Sequence, residues 1–268
     1  MLIDVQGAPL YVYTGTKPFN PAQPTIVFIH GVLNDHSVWI LQSRYLAHHN
    51  WNVLAIDLPG HGKSGGEPPS TVQEAAATVI ALLDAMKIDK AVLVGHSFGS
   101  LIAMQAAADA PTRVSQLVMV GTAYPMKVSP ALLDSSLNQP LKAIDMVNVF
   151  SHSTLAPPPS ALGPGTWLHG GSRALMRRVL ASNPKVNVFH RGFVACDSYD
   201  QGEQAMDKVD CPTLFILGTH DQMTPPKAAQ SLSKRAKHGQ TVLLRAGHSL
   251  MTENPDGVLM ALLRFIKR

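Results

Sequence analysis

A serine hydroxyl becomes a useful nucleophile only when a base takes its proton and an acid orients that base. Ser97 lies in Gly95-His96-Ser97-Phe98-Gly99, directly after the apolar run 91–94 and directly before a helical stretch, 98–108. G-x-S-x-G in that context is the pattern of a nucleophile elbow, a turn so sharp that the serine carries strained dihedrals and the glycines admit neighbouring backbone. Asp221 follows the run 213–217 in Gly218-Thr219-His220-Asp221, and His248 follows the run 241–244 in Ala246-Gly247-His248-Ser249. The expected roles are Ser97 as nucleophile, His248 as general base and Asp221 as the group that orients the imidazole. The developing oxyanion would be met by two backbone N–H groups. One is that of Val32, in His30-Gly31-Val32 after the run 25–29, and the other is that of Phe98, at the positive end of its helix.

Competing assignments are few. Asp57 also ends an apolar run, yet it stands in the turn Asp57-Leu58-Pro59-Gly60-His61-Gly62, and Gly121-Thr122-Ala123 offers no acid after the run 117–120. His30, His61 and His96 sit inside motifs where bracing of loops is the expected task. Met126, Trp167, Met176, Phe189, Met223 and Leu250 are the candidates for an apolar substrate pocket. Cys196 and Cys211 lack CxxC spacing and a neighbouring ligand cluster, so no metal site is expected.

Six short apolar runs (25–29, 53–56, 91–94, 117–120, 213–217 and 241–244) lack polar alternation, as strands buried on both faces do. Helical stretches separate them. One, 70–86, has an apolar face and the Ser70/Gln73 spacing of a capping box; another, 225–236, starts behind Thr224 as a cap. Alternation of this kind predicts an α/β fold, a mostly parallel sheet with helices on both faces, and residues 2–14 read as an edge hairpin. The alternation stops after Gly121 and resumes at Pro212. Helices are expected there at 130–138, 141–150 and 172–182, around a Pro- and Gly-rich loop at 156–165. The predicted organisation is therefore a first part of the core at 1–123, an inserted helical lid at 124–210, and the rest of the core at 211–268.

Composition narrows the function classes. Charged residues are 15% of 268 and the net charge is +4, with basic residues scattered in ones and twos, which argues against nucleic acid as a partner. The opening MLIDVQGAPL lacks the positive charge of a signal peptide and no apolar run approaches membrane-spanning length. A soluble cytoplasmic protein is the expectation.

His30-Gly31 with Trp39 downstream, Asp57 to Ser64, the elbow, Gly218 to Asp221 and Gly247-His248 together resemble the α/β-hydrolase superfamily, in particular its serine-nucleophile members with a helical lid. The likeness covers the core and is weak across 124–209. It implies the α/β-hydrolase fold, hydrolytic chemistry and no cofactor. Ser97 stands where epoxide hydrolases and haloalkane dehalogenases of this fold carry Asp, which disfavours both. The expected reaction is hydrolysis of a carboxylic ester of a small or medium apolar acyl group through an acyl-enzyme. Alternatives on the same triad are carbon–carbon bond hydrolysis and perhydrolase or haloperoxidase chemistry, and from another class a ligand-binding receptor with slow turnover.

Overall fold

The computed structural model describes residues 1–153 and 166–266. The chain opens with strands β1 (Leu2–Val5), β2 (Ala8–Tyr13) and β3 (Thr25–Ile29), then α1 (Ile40–Ala47), β4 (Asn52–Ile56), α2 (Val72–Ala85), β5 (Ala91–His96), α3 (Phe98–Asp109) and β6 (Val114–Val120). Helices α4 (Pro130–Asn138), α5 (Pro140–Ser151), α6 (Leu168–Ser182), α7 (Val188–Ser198) and α8 (Gly202–Lys208) follow. The chain then returns through β7 (Thr213–Gly218), α9 (Gln230–Arg235), β8 (Gly239–Leu244), α10 (Leu250–Glu253) and α11 (Pro255–Phe265).

The strands form one sheet in the order β1-β2-β4-β3-β5-β6-β7-β8. β1 and β2 pair antiparallel at one edge, β2 joins β4 antiparallel, and every other pairing is parallel. Strand β3 shows why its run is apolar throughout. Val27 and Ile29 pack into the core on one face with α2 and α3, while Ile26 and Phe28 pack into the core on the other with Trp39 and α11.

Three local expectations are corrected. The cap of α2 is Thr71, whose hydroxyl accepts from Glu74 N (3.1 Å) while Glu74 accepts from Ser70 N (2.7 Å), so the box lies one residue beyond the Ser70/Gln73 pair. Thr224 caps no helix: Pro226–Ala229 forms a 3₁₀ turn with Pro225 as its cap, and α9 follows it. Between β6 and β7 the described residues hold two further helices, α7 and α8. α7 opens at Asn187, whose side chain accepts from His190 N. The Pro- and Gly-rich loop 156–165 lies outside the described residues.

The helices between β6 and β7 have a small core of their own, in which Leu132, Ile144, Met176, Val179, Phe189 and Phe193 surround Leu33 from the loop after β3. Leu33 thus joins that layer to the sheet. Among the described residues no helix is long and apolar enough to cross a membrane.

Candidate active site

Ser97 connects β5 to α3 with φ 53° and ψ −120°, a backbone that L side chains rarely adopt. Its neighbours hold it there. Ser97 N donates to Val120 O (2.9 Å), and Ser97 O accepts from Ser100 N (2.8 Å) and from Ser100 Oγ (2.5 Å). The flanking glycines are obligatory: a Cβ on Gly95 would lie 2.0 Å from Gly99 O, and one on Gly99 would lie 2.4 Å from Ile29 O. The turn can form only because α3 enters directly against β3.

Asp221 hangs from the loop after β7 with its side chain fully committed. Oδ1 accepts from Met223 N (2.8 Å) and Thr224 N (2.7 Å), and Oδ2 accepts from the Thr224 hydroxyl (2.7 Å) and from His248 Nδ1 (2.9 Å). Burial opposes its charge, but the field of His248 and these hydrogen bonds outweigh burial and bring the carboxyl down to about 2. An ionised carboxylate only accepts, so His248 presents Nδ1–H to Asp221, and in the neutral ring Nε2 is the nitrogen left to accept a proton. The Thr224 oxygen is also 3.0 Å from His248 Nδ1, which makes it a second acceptor for the same N–H. Sequence reasoning missed this residue by treating it as a helix cap. The available signal was the Asp-x-x-Thr spacing, which folds the threonine back onto the carboxylate.

His248 is aligned from three other sides. His96 Nε2–H donates to His248 O (2.9 Å), and burial holds the His96 ring neutral, down to about 3. Gly121, at φ 53°, leaves the ring its space, since a Cβ there would stand 3.3 Å from Nδ1. Glu253 bridges the loop to the end of α5: Oε1 accepts from Gly247 N (3.1 Å), and Oε2 accepts from Ser153 N (3.0 Å) and the Ser153 hydroxyl. Ser249 N donates to Ser151 O (3.0 Å) in the same seam.

Ser97 and His248 face one cavity of about 310 Å³. Among the described residues no hydrogen bond joins their side chains, and such bonds commonly tighten only around substrate. Val32 lines the cavity, and Phe98 is the first residue of α3. His30 braces that wall: Nε2 accepts from Leu58 N (3.0 Å) and Nδ1–H donates to Gly31 O (2.8 Å). Of the expected pocket residues, Trp167, Met176, Phe189 and Met223 line the cavity. Met126 and Leu250 do not. Met126 packs with the α2–α3 side of the sheet core and Leu250 with the α11 side, because an apolar side chain serves a core as readily as a pocket.

Asp57 is engaged elsewhere, accepting from His36 N (2.8 Å), His36 Nδ1 (2.7 Å) and Lys63 N (2.9 Å). With Asp35 and His36 it puts three ligand-type atoms within 4.8 Å of one another. Those oxygens already serve backbone N–H groups, the Ser37 hydroxyl and the Arg178 guanidinium, so the arrangement is a structural network and not a cation cage.

The model of the alpha/beta hydrolase family matches residues 26–261. Esterase YbfF of Escherichia coli K12 is 25% identical over 254 residues, covering 90% of this chain and 92% of that one. A component of the acetoin cleaving system of Pseudomonas putida, a dihydrolipoyllysine-residue acetyltransferase, is 38% identical over 99 residues, 37% of this chain, and the chain spans about a quarter (26%) of its length. An esterase from Exiguobacterium antarcticum superposes over 100% of this chain and 99% of its own with a TM-score of 0.83 at 17% identity, a likeness of fold. The family match takes in the elbow, the loops that carry Asp221 and His248, and all the helices between them: the chain belongs to the alpha/beta hydrolase family.

Proposed function

We propose that the protein is a serine esterase that cleaves carboxylic esters of small or medium acyl groups through an acyl-enzyme. The observation that carries this reading is the shared cavity of Ser97 and His248, with ionised Asp221 held against the far side of the imidazole. Ser97 Oγ attacks the ester carbonyl carbon and its proton passes to His248 Nε2. The carbonyl oxygen becomes an oxyanion and accepts from the N–H groups of Val32 and Phe98. Collapse breaks the acyl–oxygen bond, and the alcohol leaves with the proton from Nε2. Water then attacks the acyl-Ser97 by the same steps in reverse order of roles, releasing the acid and restoring the hydroxyl. Asp221 and Thr224 stabilise the imidazolium through Nδ1–H. Residues 124–210 act as the lid, a reading supported by Trp167, Met176, Phe189 and Phe193, which line the same cavity as Ser97.

Labelling with a fluorophosphonate, followed by peptide mass spectrometry and p-nitrophenyl acetate kinetics, tests the reading. The adduct is expected on Ser97, with many turnovers per protein. Ser97→Ala and His248→Ala are each expected to lose about 10⁴-fold or more in turnover, and the double variant little beyond that. A single burst without turnover indicates a receptor, and a Ser97→Ala variant that keeps a tenth of the activity removes the serine mechanism.

A further inference from the structure

Val147, Leu175, Met176, Phe189, Phe193 and Met223 give the cavity an apolar stretch of wall, and Arg178 is the one side chain with a full formal charge among the described lining residues. Ser37, which also lines the cavity, lies beside it. The guanidinium is anchored through a single nitrogen: Nη2 donates to Asp35 Oδ2 at 2.7 Å and lies 3.5 Å from Ser37 Oγ. Asp35 in turn accepts from Ser37 N (2.9 Å) and Ser37 Oγ (2.5 Å), so the anchor is rigid.

The pair is unevenly exposed. The Asp35 side chain is 4% exposed and that of Arg178 is 62% exposed. A group entering the cavity therefore meets the cation first, with the balancing anion buried behind it, and Coulomb attraction favours the nearer charge. A guanidinium held at one nitrogen keeps a planar edge of N–H donors, which matches the two oxygens of a carboxylate. Such a donor, already ordered by Asp35, loses little freedom on binding.

We propose that Arg178 selects esters whose acyl chain carries a second, free carboxylate at its far end, that is, half-esters of dicarboxylic acids. This rests on the esterase reading above. The apolar wall takes the methylene chain while Arg178 takes the terminal carboxylate, with the scissile carbonyl at Ser97.

The test compares monomethyl adipate with methyl hexanoate, which share a six-carbon acyl chain, by pH-stat at neutral pH. Wild type is expected to show the higher kcat/KM for monomethyl adipate. Arg178→Met should lower the ratio of the two kcat/KM values about tenfold to a hundredfold, the span expected for losing a hydrogen-bonded charge partner. Arg178→Lys should recover only part of it, because a point charge lacks the planar edge. In wild type the ratio should also fall as salt is raised, and this readout stands even if the variants fail to fold. A latch between the helical layer and the loop after β3 would move both esters together and leave the ratio alone, and that result, or a salt-independent preference for methyl hexanoate, overturns the proposal. Failure of both methyl esters while p-nitrophenyl acetate is still turned over overturns it and leaves the esterase reading in place. Loss of all three overturns both.

Discussion

Replacing Thr224 with valine keeps the shape of the side chain and deletes one hydroxyl. That hydroxyl lies 2.7 Å from Asp221 Oδ2 and 3.0 Å from His248 Nδ1, at a buried position where water has no ready access. A hydrogen bond to a buried charged group is worth about 1.5–3 kcal/mol, and the substitution is expected to cost that much stability at neutral pH. The pH dependence follows from Asp221. Its folded pKa, about 2, lies below the ordinary value of 3.8, so its contribution is complete above about pH 4 and is lost as pH falls toward 2. Without the hydroxyl the folded pKa rises part of the way toward the ordinary value, so wild type and Thr224→Val should converge as pH is lowered from about 4 to about 2. Urea unfolding followed by circular dichroism at several pH values measures the difference directly. Turnover should fall about tenfold, the rate equivalent of about 1.4 kcal/mol of lost imidazolium stabilisation, and Thr224→Ser should restore most of it. A stability difference that is the same at neutral and acidic pH, or a serine variant no better than valine, refutes the assignment of this hydroxyl to the Asp221 charge.

Two further comparisons separate residues that the sequence offers for the same role. Asp221→Asn should lower kcat by about 10³- to 10⁴-fold by favouring the wrong tautomer of His248. Asp57→Asn should instead show its main effect in unfolding experiments, since its partners are His36 and Lys63. Met176→Ala should change the ratio of kcat/KM between p-nitrophenyl acetate and longer esters, each methylene counting for about 1–3 kcal/mol at most. Met126→Ala and Leu250→Ala should leave that ratio alone and cost about 2–5 kcal/mol of stability as buried truncations. A shifted ratio for Met126→Ala would put the acyl group on the wrong wall.

The sequence alone was sufficient where local constraint is strongest. Strands β3 to β7 are continuous apolar runs because both faces are covered, whereas the run 241–244 forms β8 at the edge of the sheet, where Leu243 is exposed, and the elbow is readable because only glycine fits beside Ser97. β6 begins three residues before its apolar run, at Val114, because Gln116 is polar by type yet buried, with its amide donating to Phe265 O. α7 escaped notice because His190, Arg191 and Gly192 break its apolar stripe, which is completed only by packing against the other helices of the insertion. Glu253 acts across the fold through the two oxygens of one carboxylate, and no local pattern encodes such a link; Thr224 carries a local signal for its bond to Asp221 but none for its contact with His248. The same holds for the distinction between Met176 and Met126.

The bridge made by Glu253 bears on how such enzymes can be recombined. Its carboxylate serves the histidine loop with one oxygen and the end of α5 with the other, and Ser249 leans on Ser151 beside it. A chimera that exchanges residues 124–210 for the corresponding segment of another hydrolase would therefore cut through the support of the His248 loop. Grafting that succeeds would have to carry the partner of Glu253 along with the new segment, so the unit of inheritance is the insertion together with the loop and helix around His248.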